Sequence, residues 1–242
     1  MKIVSKTNVG KVREKNEDYY HVSENLPLFI LADGMGGHLA GETASATAVK
    51  TIVHEFESKN IKEAADVKTL IEESIELANK VVFDLANSVE KYKGMDTTLS
   101  IAYIFEKQFI YANVGDSRIY ELDKEGIRKL TRDDTYVNYL LDIGEITEEE
   151  ARVHPNKNVL TLALGTEKKL KVNIQSRDIE GKKFLLCSDG LTNMVKEEDI
   201  YKLLMENELE DAGNMLMEKA LDNGGVDNIT FILIDTSRCE SW

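Results

Sequence analysis

Residues 26–42 read LPLFILADGMGGHLAGE. Residues 28–31 are uniformly apolar, and Ala32 leads directly into Asp33, Gly34 and a glycine-rich turn, after which a helix-like run begins. A short continuous apolar run bounded by turn residues reads as a buried strand. The question it raises is why such a strand runs into a carboxylate, and why glycines are packed directly behind it.

Working outward, runs rich in β-branched and aromatic residues predict further strands at 2–7, 19–23, 99–105, 109–114, 118–122, 172–177, 183–187 and 230–234. Tight connections at 107–108 and 116–118 predict an antiparallel meander over 99–122. Two long helices fill the interval after the opening stretch. GETASATAVKTIVHEFES (41–58) repeats small and apolar residues at helical spacing, and VKTLIEESIELANKVVFDLANSVEKY (67–92) carries a wide stripe through Leu70, Ile71, Ile75, Leu77, Ala78, Val81, Val82 and Leu85. A second helical pair, EEDIYKLLMEN (197–207) and EDAGNMLMEKALDN (210–223), precedes the last strand. Paired helices and antiparallel strands together predict an α+β fold with two sheets face to face and helices outside. Residues 131–165 are charged and break the strand rhythm, so they read as a flap of short helices inserted in one domain spanning 1–242.

Composition narrows the function. The chain has 242 residues, 42% of them hydrophobic, enough for a substantial core. A formal charge of -14 argues against a nucleic-acid partner, because phosphate backbones need a basic face. No run approaches the ~20 apolar residues of a membrane span, and the N-terminus lacks the apolar core of a signal peptide. Cys187 and Cys239 form no metal or disulfide spacing. A reduced, cytoplasmic monomer is expected.

The opening carboxylate has company. FLLCSDG places Asp189 and Gly190 after a second apolar strand, IYANVGDSR places Asp116 after a third, GGVDNITFILID places Asp227 just before the last strand, and REKNEDYYHV places Glu17 and Asp18 before an early one. Any one of these could be ordinary turn or cap chemistry. Together they fit a site for Mg²⁺ or Mn²⁺, which prefer carboxylate, carbonyl and water oxygens. Clustered carboxylates in a cleft repel one another and need a cation to stay ionised. Glycine lets a backbone carbonyl approach a metal closely, so Asp33 would reach the ions and Gly34 would offer its carbonyl.

The motifs VREKNEDYY, LADGMGGHLAGE, VGDSRIY, LLCSDGLTN and GGVDNITFILI, in that order between about residues 5 and 234, resemble those of the metal-dependent (type-2C) serine/threonine protein phosphatases, bacterial branch. The resemblance implies a four-layer α-β-β-α sandwich with a variable flap. It implies that Asp33 bridges two Mn²⁺ or Mg²⁺ ions, that Gly34 supplies a carbonyl to one, and that Asp189 and Asp227 bind the other. Asp116 matches the ligand of a third, weaker ion, Glu17 and Asp18 would hold metal-bound waters, and Arg13 would grip the substrate phosphate. Asn228 would support Asp227 from behind. The implied chemistry is in-line attack by a metal-bridging hydroxide on phosphoserine or phosphothreonine in proteins, with no covalent intermediate. The implied antagonist, itself a candidate substrate, is a bacterial serine/threonine kinase.

Four positions depart from the family pattern. Met35 stands where many eukaryotic members have histidine, Asp96 where glycine is usual, Asp134 where histidine is usual and Leu162 where arginine is frequent. The rival reading, a regulatory module without turnover, would be favoured by loss of Asp33, Asp189 or Asp227, and all three are present. The glycines lack the Gly-Lys-Ser/Thr ending of a P-loop, and the scattered histidines form no zinc motif. His38 follows the glycines closely enough to line the site or simply to start a helix, and His154 belongs to the flap. Cys187 lies in a buried run with no phosphate-binding arginine after it, which is unsuitable for a thiolate nucleophile.

Overall fold

Alternation along the buried strands distributes the core into layers. The computed structural model describes residues 1–36 and 40–237, so His38 and Cys239 lie outside the described residues. Its strands are β1 Lys2–Asn8, β2 Asp18–Val22, β3 Leu28–Met35, β4 Asp96–Thr97, β5 Leu99–Phe105, β6 Gln108–Val114, β7 Arg118–Asp123, β8 Gly126–Lys129, β9 Gln175–Asp178, β10 Lys183–Cys187 and β11 Ile229–Asp235. Its helices are α1 Ala40–Glu57, α2 Ala64–Ser88, α3 Tyr136–Asp142, α4 Glu148–Val153, α5 Asp189–Thr192, α6 Glu197–Glu206 and α7 Leu209–Asp222. One antiparallel sheet has the order β1-β11-β10-β7-β8, and the other β2-β3-β5-β6-β9 with β4 also pairing β3.

Successive side chains of a strand point to opposite faces, and here each face meets a different layer. Leu28, Ile30 and Ala32 of β3 pack with Ala44, Ile52, Ile71 and Ile75 of α1 and α2. Phe29 and Leu31, one residue out of phase, enter the space between the sheets with Leu186, Ile232 and Ile234. On β10 and β11, Leu185, Cys187, Phe231 and Leu233 turn outward onto Leu204, Ala212 and Leu216 of α6 and α7. The result is the expected α-β-β-α sandwich. At its centre the rings of Phe109 and Phe184 stack with centroids 3.9 Å apart, and burying a side chain of this size contributes about 1.5–3 kcal/mol. Among the described residues, no helix is long and apolar enough to cross a membrane.

Two expectations need correction. The meander over 99–122 holds only for its first half: β5 pairs with β6, but β7 pairs with β10 in the opposite sheet. Residues 115–117 carry the chain from one sheet to the other. Sheets stack about 10 Å apart, a distance that three extended residues at ~3.3–3.6 Å each can just span. Gly115 makes the exit at φ +93°, with the position of a Cβ only 2.7 Å from Thr98 Cγ2. The second correction is that β3 does not stop at Ala32. Its pairing runs on as Gly34 opposite Thr97 and Met35 opposite Asp96, in the same register as Leu31 opposite Ser100. Asp33 therefore sits inside a strand, and its position is set by a ladder on either side.

Residues 131–165 contain the two short helices α3 and α4. Thr135 caps α3 by accepting from the Asn138 amide, and Thr147 forms a capping box with Glu150 on α4. An isolated bridge between Thr135 and Leu160 closes the segment on itself, and one between Thr97 and Leu164 ties it back to β4.

Candidate active site

Antiparallel pairing brings the start of β2 beside the end of β3, and the end of β10 beside the starts of β7 and β11. The crossing at 115–117 joins the two sheets at this same end. Asp18 opens β2 directly opposite Asp33. Asp116 rides on the crossing, Asp189 begins α5 immediately after β10, and Asp227 stands two residues before β11. Carboxylates read as separate strand ends thus gather at one end of the sandwich.

Ser188 stitches the gathering across the sheets. Its Oγ donates to Asp18 Oδ2 at 2.8 Å, and its amide donates to the Thr230 carbonyl at 3.0 Å. Asp18 Oδ1 is buried with no hydrogen-bond partner. The Asn193 amide donates to Asp189 Oδ2 at 2.9 Å. Asp227 accepts from the Asn228 amide through Oδ1 and from the Arg13 guanidinium through Oδ2, each at 2.8 Å.

The electrostatics follow from burial among like charges. Burial, then the charges of Asp18, Asp189, Asp116 and Asp227, holds the Asp33 carboxyl well above the usual carboxylate range. Burial also pushes Asp18 up to about 7, against hydrogen bonds from Thr230 and Ser188 that pull it down. Asp116 rises to about 7 through burial and the charges of Asp189 and Asp133. Asp189 is raised by burial and by Asp227. Arg118, two residues beyond Asp116, is committed elsewhere: its Nε and Nη2 donate to Asp133 Oδ2 at 3.0 and 2.7 Å. These acids must either take up protons or meet a cation.

The donors fit a hard divalent ion. They are all oxygens, one of them buried and unpartnered. Among the described residues, no three ligating side chains close into a ready-made cage. An ion held here would combine one or two carboxylates with a carbonyl and water, as Mg²⁺ commonly does.

Glycines make room for that carbonyl. A Cβ on Gly34 would lie 2.0 Å from the Gly41 carbonyl oxygen and 2.8 Å from that of Glu17, so no side chain fits. A Cβ on Gly41 would lie 2.7 Å from Glu17 Oε1 and 2.9 Å from the Gly34 carbonyl oxygen. The bare backbone of α1 at Gly41 therefore leaves the Glu17 carboxylate and the Gly34 carbonyl their space, and burial raises the Glu17 pKa.

Arg13 and Glu17 lie on a loop fixed by Asn228. Asn228 Oδ1 accepts from the Glu17 amide at 2.8 Å, while its Nδ2 donates to the carbonyls of Val9 and Lys15 at 2.9 and 2.8 Å. The Lys11 amide adds a bond to the Gly225 carbonyl at 2.7 Å. Gly10, at φ +82°, has no room for a Cβ, which would fall 2.3 Å from the Asp227 carbonyl oxygen. The loop and the turn carrying Asp227 form one unit.

Several hydroxyls at the site escape sequence reading. Thr98 Oγ1 accepts from the Asp33 amide at 2.9 Å and shares a hydrogen with Ser117 Oγ at 2.7 Å. Thr97 Oγ1 donates to the Asp33 carbonyl at 2.9 Å. The strand of Asp33 and the crossing of Asp116 are locked together through these groups. Consecutive threonines beside a buried strand are the only signal in the sequence.

The departures separate into two kinds. Asp134 is absorbed into structure: its Oδ2 accepts from the Gly115 amide at 3.0 Å, and its own amide donates to the Gly115 carbonyl at 3.0 Å. Asp96 is not; among the described residues, burial alone pushes its carboxyl up to about 6, with no hydrogen bond or neighbouring charge contributing. Cys187 is buried, and burial pushes its thiol up to about 12, which leaves it inert. His154 serves its local turn, accepting from the Asn156 amide at Nδ1.

Known proteins resemble this chain in sequence and in fold. A family model described as protein phosphatase 2C matches residues 10–223. The serine/threonine phosphatase stp of Listeria innocua is 40% identical over 240 residues, covering 95% of this chain and 94% of that protein. The crystal structure of the serine/threonine phosphatase Stp1 from Staphylococcus aureus superposes with a TM-score of 0.91 at 39% identity, covering 96% of this chain and 94% of that one. The catalytic domain of the phosphatase PstP, in complex with 2 manganese ions, superposes with a TM-score of 0.85 at 31% identity over 97% of each chain. With sequence and architecture matched over nearly its whole length, the chain belongs to the protein phosphatase 2C family.

Proposed function

We propose that the acidic end of the sandwich hydrolyses phosphoserine and phosphothreonine in proteins with the help of bound Mn²⁺ or Mg²⁺, and that the enzyme thereby opposes a bacterial serine/threonine kinase. The observation that carries this reading is the row of mutually repelling carboxylates, in which Asp18 faces Asp33 and keeps a buried oxygen without a partner. Asp33, the Gly34 carbonyl, Asp189 and Asp227 would hold two ions, Asp116 would serve a third, and Glu17 and Asp18 would order water around them. When bound, such ions supply positive charge for the phosphoryl oxygens and lower the pKa of the attacking water. Arg13 sits at the mouth, its side chain half exposed and tethered to Asp227. From there its planar fork meets the incoming phosphate in a geometry that lysine could not reproduce. Asn228 keeps that fork in place by fixing the loop on which it rides. Thr97 and Thr98 hold the Asp33 backbone in place.

The test is hydrolysis of a phosphoserine peptide and of a small aryl phosphate with Mn²⁺, with Mg²⁺ and in EDTA. Turnover on both substrates should require the divalent ion and fall by more than about a thousandfold without it. Turnover that survives EDTA overturns the metal assignment, and hydrolysis of the aryl phosphate without any of the peptide overturns the protein substrate.

A further inference from the structure

We propose that a cleft beside the catalytic strands takes the substrate polypeptide, and that Asp96 in it selects proteins with lysine or arginine close to the phosphorylated residue. The inference rests on the phosphatase reading above and adds a substrate class to it.

The cleft has a volume of about 510 Å³ and, among the described residues, is lined in part by Met35, Gly36, Asp96, Thr161, Leu162 and Glu167. It joins the end of β3 to the segment 131–165. The position of Asp96 relative to the reaction centre follows from register. Met35 faces Asp96 and Gly34 faces Thr97, so Asp33 faces Thr98, and Asp96 is the diagonal neighbour of Asp33. Diagonal neighbours across an antiparallel pair stand roughly 7–8 Å apart. Residues two apart on a strand share a face, as do residues directly opposite, so Asp33, Met35 and Asp96 project from the same side of the sheet. An extended peptide advances ~3.3–3.6 Å per residue. With its phosphate at the acidic centre, a residue two positions away falls beside Asp96, and the reach of a long side chain extends this to three.

The chemistry of the lining specifies the occupant. The Asp96 carboxylate has no hydrogen bond or ion pair among the described residues, although partly buried carboxylates are ordinarily satisfied. The other acid that departs from the family pattern, Asp134, is satisfied by Gly115. No lysine or arginine lines the cleft among the described residues, and Glu167 adds a second negative charge. Lys168 and Lys169, next in sequence, line a different groove, against α2. Leu160, Leu162 and Ala163 give the cleft an apolar wall. A carboxylate beside an apolar wall suits an alkyl chain ending in a cation, whose stem packs while its head pairs. It does not suit a bare divalent ion, which wants about six oxygens.

The experiment compares kcat/KM for phosphoserine peptides that differ only at the two positions on either side of the phosphorylated residue, carrying arginine, alanine or glutamate, with an aryl phosphate as reference. The wild type should prefer the arginine peptide over the alanine peptide by about tenfold, and over the glutamate peptide by more, with the difference mainly in KM. In Asp96→Asn the ratios should shrink to within about threefold, and in Asp96→Lys the order should reverse in favour of glutamate. A merely structural role for Asp96 would change all three peptides together. If the wild type hydrolyses the aryl phosphate and all three peptides equally, the selectivity proposal fails while the phosphatase reading stands. If nothing is hydrolysed, both fail. Should Asp96→Lys fail to fold, the ratios of Asp96→Asn decide: ratios equal to those of the wild type overturn the proposal.

Discussion

The two ends of this sandwich treat buried acids in opposite ways. At the end away from the site, Glu121 is 3% exposed and is held by Lys182 at 3.0 Å, with Arg128 at 3.9 Å. Asp235, largely covered, pairs nearby with Lys183. At the site end, Asp18 is about as deeply buried, at 8%, yet it faces another aspartate and, among the described residues, is met by hydroxyls and by no lysine or arginine. The fold can therefore supply cations to buried carboxylates and does so where the carboxylates are scaffold. Where it withholds them, the cost of confining like charges is met by something the chain does not contain. Acids that shift together, each through burial and the others' charges, mark a functional site more firmly than any single Asp-Gly turn.

The largest effect should come from removing one member of the unpaired set. Asp33→Asn should lower turnover on a phosphoserine peptide by about a thousandfold or more. It should at the same time raise the melting temperature in EDTA, because a repelling charge leaves while the backbone bonds of Thr97 and Thr98 to residue 33 remain. Each 1 kcal/mol gained corresponds to roughly 2–4 °C in a chain of this size. A fall in melting temperature would mean that Asp33 is scaffold like Glu121, and the contrast between the ends would be gone.

A smaller effect is the dependence of the metal-free protein on pH. Asp18 and Asp116 have folded-state values pushed up to about 7, whereas a carboxylate in the unfolded chain titrates near 4. Between those limits the folded state binds more protons than the unfolded one, so its stability falls as pH rises. Their contribution is fully present below about pH 4 and is lost as pH passes 7. Melting in EDTA should drop by several degrees between pH 5 and pH 8, and Mn²⁺, which favours the ionised acids, should flatten that slope or reverse it. Equal slopes with and without Mn²⁺ would show that the acids neither repel one another nor share an ion.

What the sequence reveals of this arrangement depends on whether a feature is written locally. Strands β3, β10 and β11 are legible because burial on both faces leaves an uninterrupted run of apolar residues. Asp33, Asp116, Asp189 and Asp227 are legible because each stands against such a run. Strand β4 is not: it is only two residues long and opens on Asp96, a poor strand former, and it pairs because the register of β5 continues past it. Strand β8 opens on Gly126 and carries Arg128 and Lys129, the composition of an edge. The crossing at 115–117 has the composition of a hairpin turn, and turn residues do not say which sheet comes next. The contact that decides, Gly115 against Thr98, joins distant segments. For the same reason the face-to-face placement of Asp18 and Asp33, and the hydroxyls of Ser188 and Thr98, appear only once the strands are aligned.

The smallest effect tests the other end of the comparison. Glu121→Gln keeps the shape of the side chain and removes the charge that Lys182 and Arg128 meet. Exchanging a charge-assisted hydrogen bond for a neutral one, with Lys182 left four-fifths covered, costs about 1–2 kcal/mol, a fall of roughly 2–8 °C in melting temperature. Turnover should not change, because Glu121 lies at the far end of β7 from Asp116. Its sign on stability is opposite to that expected of Asp33→Asn, although both substitutions neutralise a carboxylate in the same strand framework. A gain in stability from both would mean that the net charge of -14, and not the local supply of cations, governs how this fold tolerates its acids.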